Sequence, residues 1–162
     1  MWGGDYLSKN NIRLTRIDNR LIHGQIVGEW AATAGANLLV VADDTTAASE
    51  LDQMVMKTAA DSLGYDSRFF TIKKTIEVIE KASSDQKILL LVKTPADLKK
   101  IIEGGVGVEV VNIGNLHFSE GKKAIGTKVY VDDKDIKDLD FIKKHVNEIY
   151  IQDLPGMKKE KY

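Results

Sequence analysis

Two short runs, Asn37–Ala42 (NLLVVA) and Lys87–Val92 (KILLLV), constrain this chain more than any other feature. Each is almost continuously apolar yet too short for a helix, the pattern of a strand covered on both faces. A doubly covered strand needs a layer above and a layer below, and amphipathic stretches alternate with the runs. The spacing predicts strands over Ile12–Ile17, Asn37–Ala42, Ser67–Ile72, Lys87–Val92, Val108–Ile113, Thr127–Val131 and Glu148–Gln152. It predicts helices over Leu21–Ala34, Ala47–Leu63 and Thr75–Lys81. A further helix opens at Thr94-Pro95 and stops at Gly104-Gly105, and the last runs from an Asp132 cap to His145. In the second helix Leu51, Met54, Val55 and Thr58 fall on one stripe. The expected class is α/β, an open, mostly parallel, doubly wound sheet of about six to seven strands with helices on both faces. With right-handed crossovers, strand one is expected at the centre, between strands two and four.

Composition narrows the function classes. The chain has 162 residues, 23 basic against 24 acidic side chains and no cysteine. A near-neutral balance argues against a nucleic-acid footprint, and the missing thiols exclude disulfides and cysteine nucleophiles. No apolar run approaches the ~18 residues of a membrane span, and a cytoplasmic location is expected. Residues 1–10 lack periodicity and are read as an N-terminal extension, with residues 11–162 as a single domain. Lys158, Lys159 and Lys161 are expected in a solvated, frayed tail.

In such sheets ligands bind beyond the carboxyl ends of the strands. The richest of these loops is the first, with Arg16, Asp18, Arg20, His23, Gly24 and Gln25 within ten residues. A neutral imidazole there can act as a nucleophile, guanidinium groups can neutralise a phosphoryl group, and an aspartate can orient either. Backbone N–H groups at the start of the following helix offer a second anion cradle. Those parts describe a phosphohistidine site, but a surface or capping histidine beside a helix start fits the same residues. Asp43, Lys93, Thr94, Gly114 and Asn115 follow strands two, four and five and are expected to line the site. Asn115 would either touch the incoming group or occupy a left-handed turn. His117 lies in a strand-end loop and His145 on a solvated helix face. The three histidines are too scattered for a metal site. Gly104-Gly105-Val106-Gly107 follows a helix and precedes a strand, the reverse of a dinucleotide fingerprint, which disfavours a nucleotide-dependent oxidoreductase. No cofactor is expected.

The segment Arg16-Ile17-Asp18-Asn19-Arg20-Leu21-Ile22-His23-Gly24-Gln25-Ile26 resembles the R-I-D-x-R-L-I-H-G-Q-V signature of the mannose/fructose/sorbose family of IIB components of the bacterial sugar phosphotransferase system (PTS). The similarity runs from Asn11 to about Pro155 and includes Val40-Val41-Ala42-Asp43-Asp44. It also includes Asn112-Ile113-Gly114-Asn115-Leu116, similar to the family's N-V-G-G-M. Ile26 and Asn115 depart from that pattern. The resemblance implies a transferase that passes phosphate from a protein phosphohistidine to a sugar. A IIA domain would phosphorylate His23 on Nδ1, and His23 would pass the group to a sugar entering through a IIC/IID membrane permease. Arg16, Asp18 and Arg20 match the polar positions around that histidine. The sugar would be a mannose-type hexose, ketose or hexosamine, with a lean towards N-acetylgalactosamine. Peripheral association with the permease is implied, and assembly with further copies of the chain is left open. The alternative class is a non-catalytic α/β binding or regulatory module that carries no phosphate.

Overall fold

The computed structural model describes residues 11–162, so the expected N-terminal extension lies outside the described residues. The chain opens with β1 (Ile12–Asp18), α1 (Ile26–Ala34) and β2 (Leu38–Ala42). A single turn α2 (Asp44–Ala47), α3 (Glu50–Ser62), β3 (Asp66–Phe70) and α4 (Ile72–Val78) follow. Then come β4 (Ile88–Val92), α5 (Pro95–Glu103), β5 (Val110–Asn115) and the hairpin of β6 (Lys123–Gly126) and β7 (Val129–Val131). The chain ends with α6 (Asp133–His145), β8 (Glu148–Ile151) and β9 (Glu160–Lys161).

Among the described residues seven strands form one sheet in the order β3-β2-β4-β1-β5-β8-β9, parallel except for β9. The expected α/β class is the one observed. The expected neighbours of β1 are corrected: β4 and β5 flank it, and β2 lies one strand further out. Continuous apolarity reports that β2 and β4 are buried on both faces. It carries no information on which strand lies beside which.

Successive side chains on β2 and β4 feed two cores. Leu38, Val40, Ala42, Ile88, Leu90 and Val92 pack with residues of α4, α5 and α6, including Ile72, Leu98, Ile101, Leu139 and Ile142. Leu39, Val41, Leu89 and Leu91 pack on the other face with Val27 and Trp30 of α1 and Ala60 of α3. On β1 the alternation is broken once. The register slips between Ile12 and Leu14, so Ile12 faces one core and Leu14 the other. That bulge sets the phase of everything downstream on β1, including Arg16 and Asp18.

Three further expectations are revised. The first helix starts at Ile26 rather than Leu21, because Leu21 (φ 57°) and Gly24 (φ 48°) take left-handed backbone that no α-helix contains. The stripe Leu51, Met54 and Val55 faces solvent, each residue 63–69% exposed. α3 instead packs its Met56, Ala59, Ala60 and Leu63 side, which shows the same helical spacing with smaller residues. The basic tail is not frayed: Glu160 and Lys161 pair with Ile151 and Tyr150 as an antiparallel edge strand. The predicted Thr127–Val131 strand is half of the β6–β7 hairpin, which stands apart from the main sheet. It touches β5's exit through a bridge between Leu116 and Val129. No helix among the described residues is long and apolar enough to cross a membrane.

Candidate functional site

Two residues apart on one strand, Arg16 and Asp18 point to the same face of β1, the one covered by α1. The Arg16 guanidinium lies 5.1 Å from the ring centroid of Trp30. Arg16 is 1% exposed and every hydrogen bond it makes is internal. Its Nη1 donates to Asn112 Oδ1 at 2.5 Å and to the Gln152 carbonyl at 3.2 Å. Its Nη2 donates to Asp18 Oδ2 at 3.0 Å. Burial pulls its pKa below the ordinary value, opposed by the neighbouring Asp18 and Asp153 carboxylates. The guanidinium fits only because residue 114 is glycine, since any Cβ there would overlap its Cζ and Nη atoms. Gly114 is the extra residue of a second bulge, between Ile17–Ile113 and Asp18–Asn115.

Asp18 is fully buried and accepts four hydrogen bonds. Oδ1 takes the Arg20 backbone N–H at 2.9 Å and Arg20 Nε at 3.1 Å. Oδ2 takes the Nη2 groups of Arg16 and Arg20 at 3.0 and 3.1 Å. The bond from the Arg20 backbone N–H to Oδ1 closes an Asx turn, which carries the chain sharply out of the strand into the loop. The Arg20 side chain is 29% exposed. Of the two arginines it alone reaches the surface, so the expectation that both stand ready for an anion is corrected for Arg16.

Asn19 ties three strand exits together. Its backbone N–H donates to the Asn115 carbonyl at 3.0 Å and its Nδ2 to the Lys93 carbonyl at 2.7 Å. Its Oδ1 accepts the His117 backbone N–H at 2.7 Å. The loops after β1, β4 and β5 therefore converge, as the sequence led us to expect. His23 stands in this frame with its side chain 21% exposed. Nδ1 lies 3.1 Å from the Leu21 carbonyl, and the buried Nε2, without a hydrogen bond among the described residues, lies 4.0 Å from Asp18 Oδ2. Its pKa is lowered, first by burial and then by Arg20 and Arg16, against the pull of Asp18. The ring is therefore neutral at neutral pH, as a nucleophile must be. Gly24 and Gln25 are exposed, and Gln25 makes no side-chain cap on α1. The first N–H groups of α1 thus take no cap from the Gln25 side chain, two residues after His23.

Other predicted site residues have structural employment. Asp43 Oδ2 caps α2 by accepting Thr46 N at 3.0 Å and Oγ1 at 2.7 Å, with Lys93 Nζ at 3.3 Å. Thr94 caps α5 through the Asp97 N–H. Asn115 ends β5, is 6% exposed, and is not among the residues in left-handed conformation, so its turn reading is set aside. His117 is exposed, while His145 stacks on Phe141 at 4.1 Å and bonds the Phe141 carbonyl.

The sequence did not single out Gln152, Asp153, Lys128 or Trp30, and it offered Asn112 only as the start of the family-like segment Asn112–Leu116. Asp153 is 3% exposed, with Oδ1 at 3.8 Å from Arg16 Nη2 and 3.9 Å from Arg20 Nη2. Lys128 Nζ holds its other oxygen at 2.9 Å, and Trp30 Nε1 donates to its carbonyl at 2.9 Å. An amide inside the buried β5 was the one available signal, because such a group needs a partner.

Comparison with known proteins gives a consistent result. The family model described as "PTS system sorbose subfamily IIB component" matches residues 12–162. The N-acetylgalactosamine-specific phosphotransferase enzyme IIB component 1 of Escherichia coli (strain K12) is 53% identical over 154 residues, covering 95% of this chain and 98% of that one. Component 2 of the same organism is 43% identical over 145 residues, covering 90% and 92%. The crystal structure of the Escherichia coli component 1 superposes with a TM-score of 0.91 at 55% identity, over 94% of this chain and 99% of that chain.

Proposed function

Because the chain belongs to the sorbose-subfamily IIB components of the sugar phosphotransferase system, we propose that His23 is its phosphoryl carrier. The observation that carries this is a neutral, partly exposed imidazole beside a buried Arg–Asp–Arg cluster and an uncapped helix start. IIB components work between IIA and IIC/IID partners, so the group passes twice. In the first step a His23 nitrogen attacks the phosphorus of the phosphorylated IIA domain. The new N–P bond forms as the donor's bond to phosphorus breaks, and that electron pair returns to the donor. In the second step a sugar hydroxyl attacks the same phosphorus, the N–P bond breaks, and the hydroxyl proton is released.

The family resemblance makes Nδ1 the attacking atom, and for that the ring must first leave the Leu21 carbonyl, which at 3.1 Å can only accept a proton from Nδ1. The proton then moves to Nε2, which makes no hydrogen bond among the described residues and has Asp18 Oδ2 4.0 Å away to draw it in. That tautomer puts the lone pair on Nδ1, free for the donor. Arg20 and the first N–H groups of α1 meet the phosphoryl oxygens, and little else is needed for phosphoryl transfer beyond positioning and charge. Arg16 acts from beneath, fixing Asp18.

The sugar we assign is N-acetylgalactosamine, on the strength of two relatives named for it at 53% and 43% identity. The site would work at the cytoplasmic side of the membrane, docked to the IIC/IID permease. Incubation with a phosphorylated IIA donor is expected to leave one acid-labile, base-stable phosphate, absent in His23→Ala. Phosphate retained by His23→Ala overturns the reading. With the permease present, N-acetylgalactosamine is expected to be phosphorylated in preference to mannose or fructose.

A further inference from the structure

Lys128 sits at the tip of the β6–β7 hairpin with φ 59°, a left-handed conformation that a lysine adopts only when its surroundings impose it. Those surroundings are explicit. The Leu116 N–H donates to the Lys128 carbonyl and the Tyr130 N–H to the Leu116 carbonyl, both at 3.0 Å, and Val129 is fully buried. The hairpin is thus fastened to the exit of β5, next to the loop that carries His23. From that tip the Lys128 side chain, 55% exposed, delivers Nζ to Asp153 Oδ2 at 2.9 Å.

Asp153 is the second buried carboxylate of the site, and it is incompletely satisfied. Its Oδ1 has no hydrogen bond among the described residues, and two guanidinium groups stand 3.8 and 3.9 Å from it. Arg20 Nη2 therefore lies between two carboxylates and is hydrogen-bonded to Asp18 alone. Arg16, Arg20 and Lys128 together outnumber Asp18 and Asp153 by a single positive charge. Without Lys128 the cluster is balanced, and Asp153 has only guanidinium groups left to pair with. Arg20 is the freer of the two, with a side chain 29% exposed against 2% for Arg16. With Lys128 gone Asp153 would lose its 2.9 Å ion pair as well as lacking a hydrogen bond on Oδ1, and the donor able to move to it is Arg20.

We propose that Lys128, by occupying Asp153, keeps Arg20 free to meet the phosphoryl group, so that the two act as a positioning pair for transfer. This rests on His23 being the carrier. The hairpin, which has no part in the main sheet, then has a role at the site: it supplies the cation that offsets the second carboxylate.

The test compares Lys128→Met with Lys128→Met/Asp153→Asn in the full chain. Phosphate uptake from the phosphorylated IIA donor is expected to slow roughly tenfold in the single variant and to return to near the wild-type rate in the double. A double variant as slow as the single overturns the proposal, since Lys128 would then act on phosphate or partner directly. A single variant at wild-type rate overturns it too. One NMR readout needs neither phosphate nor the second substitution. In Lys128→Met the Arg20 side-chain N–H groups are expected to exchange more slowly with solvent. Unchanged Arg20 exchange counts against the proposal. A His23→Ala control separates the two readings: phosphate retained there removes the carrier assignment, while the Arg20 measurements still judge the role of Lys128.

Discussion

Two inner strands of the sheet end in a buried aspartate, and the two carboxylates are put to different use. After β2, Asp43 is followed three residues on by Thr46, and its Oδ2 is consumed in capping the short α2 turn, with Lys93 alongside. After β1, Asp18 is followed by Asn19 and Arg20, and one oxygen closes an Asx turn while the other grips two guanidinium groups. The first arrangement is complete in itself. The second leaves a partly exposed arginine and a neutral histidine, followed by a helix start without a side-chain cap. A carboxylate at a strand end is therefore no sign of chemistry until the loop's next residues show whether it caps a helix or braces a cation.

The same substitution at both strand ends breaks the comparison most sharply. Asp18→Asn strips the counter-charge from two guanidinium groups, one of them fully buried, and is expected to cost about 3–5 kcal/mol in chemical denaturation. Asp43→Asn keeps a good cap and loses only a lysine contact, so a cost within about 1 kcal/mol and unimpaired phosphate uptake are expected. Equal costs at the two positions would remove the distinction.

The next effect in size concerns the bulge beside Asp18. Gly114→Ala places a methyl group inside the Arg16 guanidinium, with backbone and buried partners on every side. About 1–3 kcal/mol of lost stability is expected from such overpacking, together with slower phosphate uptake as Arg16 and Asp18 shift. A melting temperature unchanged by the substitution would show that Arg16 has room the structure denies it.

That glycine marks where the sequence stops being legible. The buried strands could be read because apolar continuity is a local property, and the caps Thr94 and Asp132 because Asp, Thr and Pro signal helix starts within four residues. The order of β1, β4 and β2 depends on crossovers between distant segments, which no local pattern encodes. Arg16 reads as a surface cation because arginine is almost never fully buried unless paired, and its partners come from β5 and the end of β8. The stripe on α3 misled for a related reason: two faces of that helix carry helical spacing, and the edge strand beneath takes the smaller one. The His23 motif was found by resemblance, whereas Lys128 and Asp153 stand 25 residues apart with no local feature linking them.

Replacing cation by cation at the two exits gives a smaller effect. Arg20→Lys keeps the charge but loses the fork that holds Asp18 through Nε and Nη2 at once. Phosphate uptake is expected to slow about tenfold, with stability changed by less than about 1 kcal/mol because the side chain is partly exposed. Lys93→Arg, at the Asp43 exit, is expected to leave uptake untouched. If both substitutions slow uptake equally, the second exit belongs to the site after all.

The smallest effect is a matter of pH, and it too separates the two exits. Burial, Arg20 and Arg16 hold the His23 pKa below the ordinary histidine value of 6.5, with Asp18 opposing them. Between the lowered value and 6.5 the unfolded chain binds a proton that the folded site refuses. The contribution of His23 to folding stability is therefore present above 6.5 and is lost as pH falls through the lowered value. Phosphate uptake needs the neutral ring, so its acid limb is expected below 6.5 as well. Arg20→Gln removes a repelling cation and should move that limb up, whereas Asp18→Asn removes the attracting charge and should move it down. Lys93→Met touches none of these charges and should leave it in place. An NMR titration of the His23 ring in each variant gives the sign directly, and a limb that follows Lys93 rather than Arg20 would place the electrostatic control at the wrong strand end.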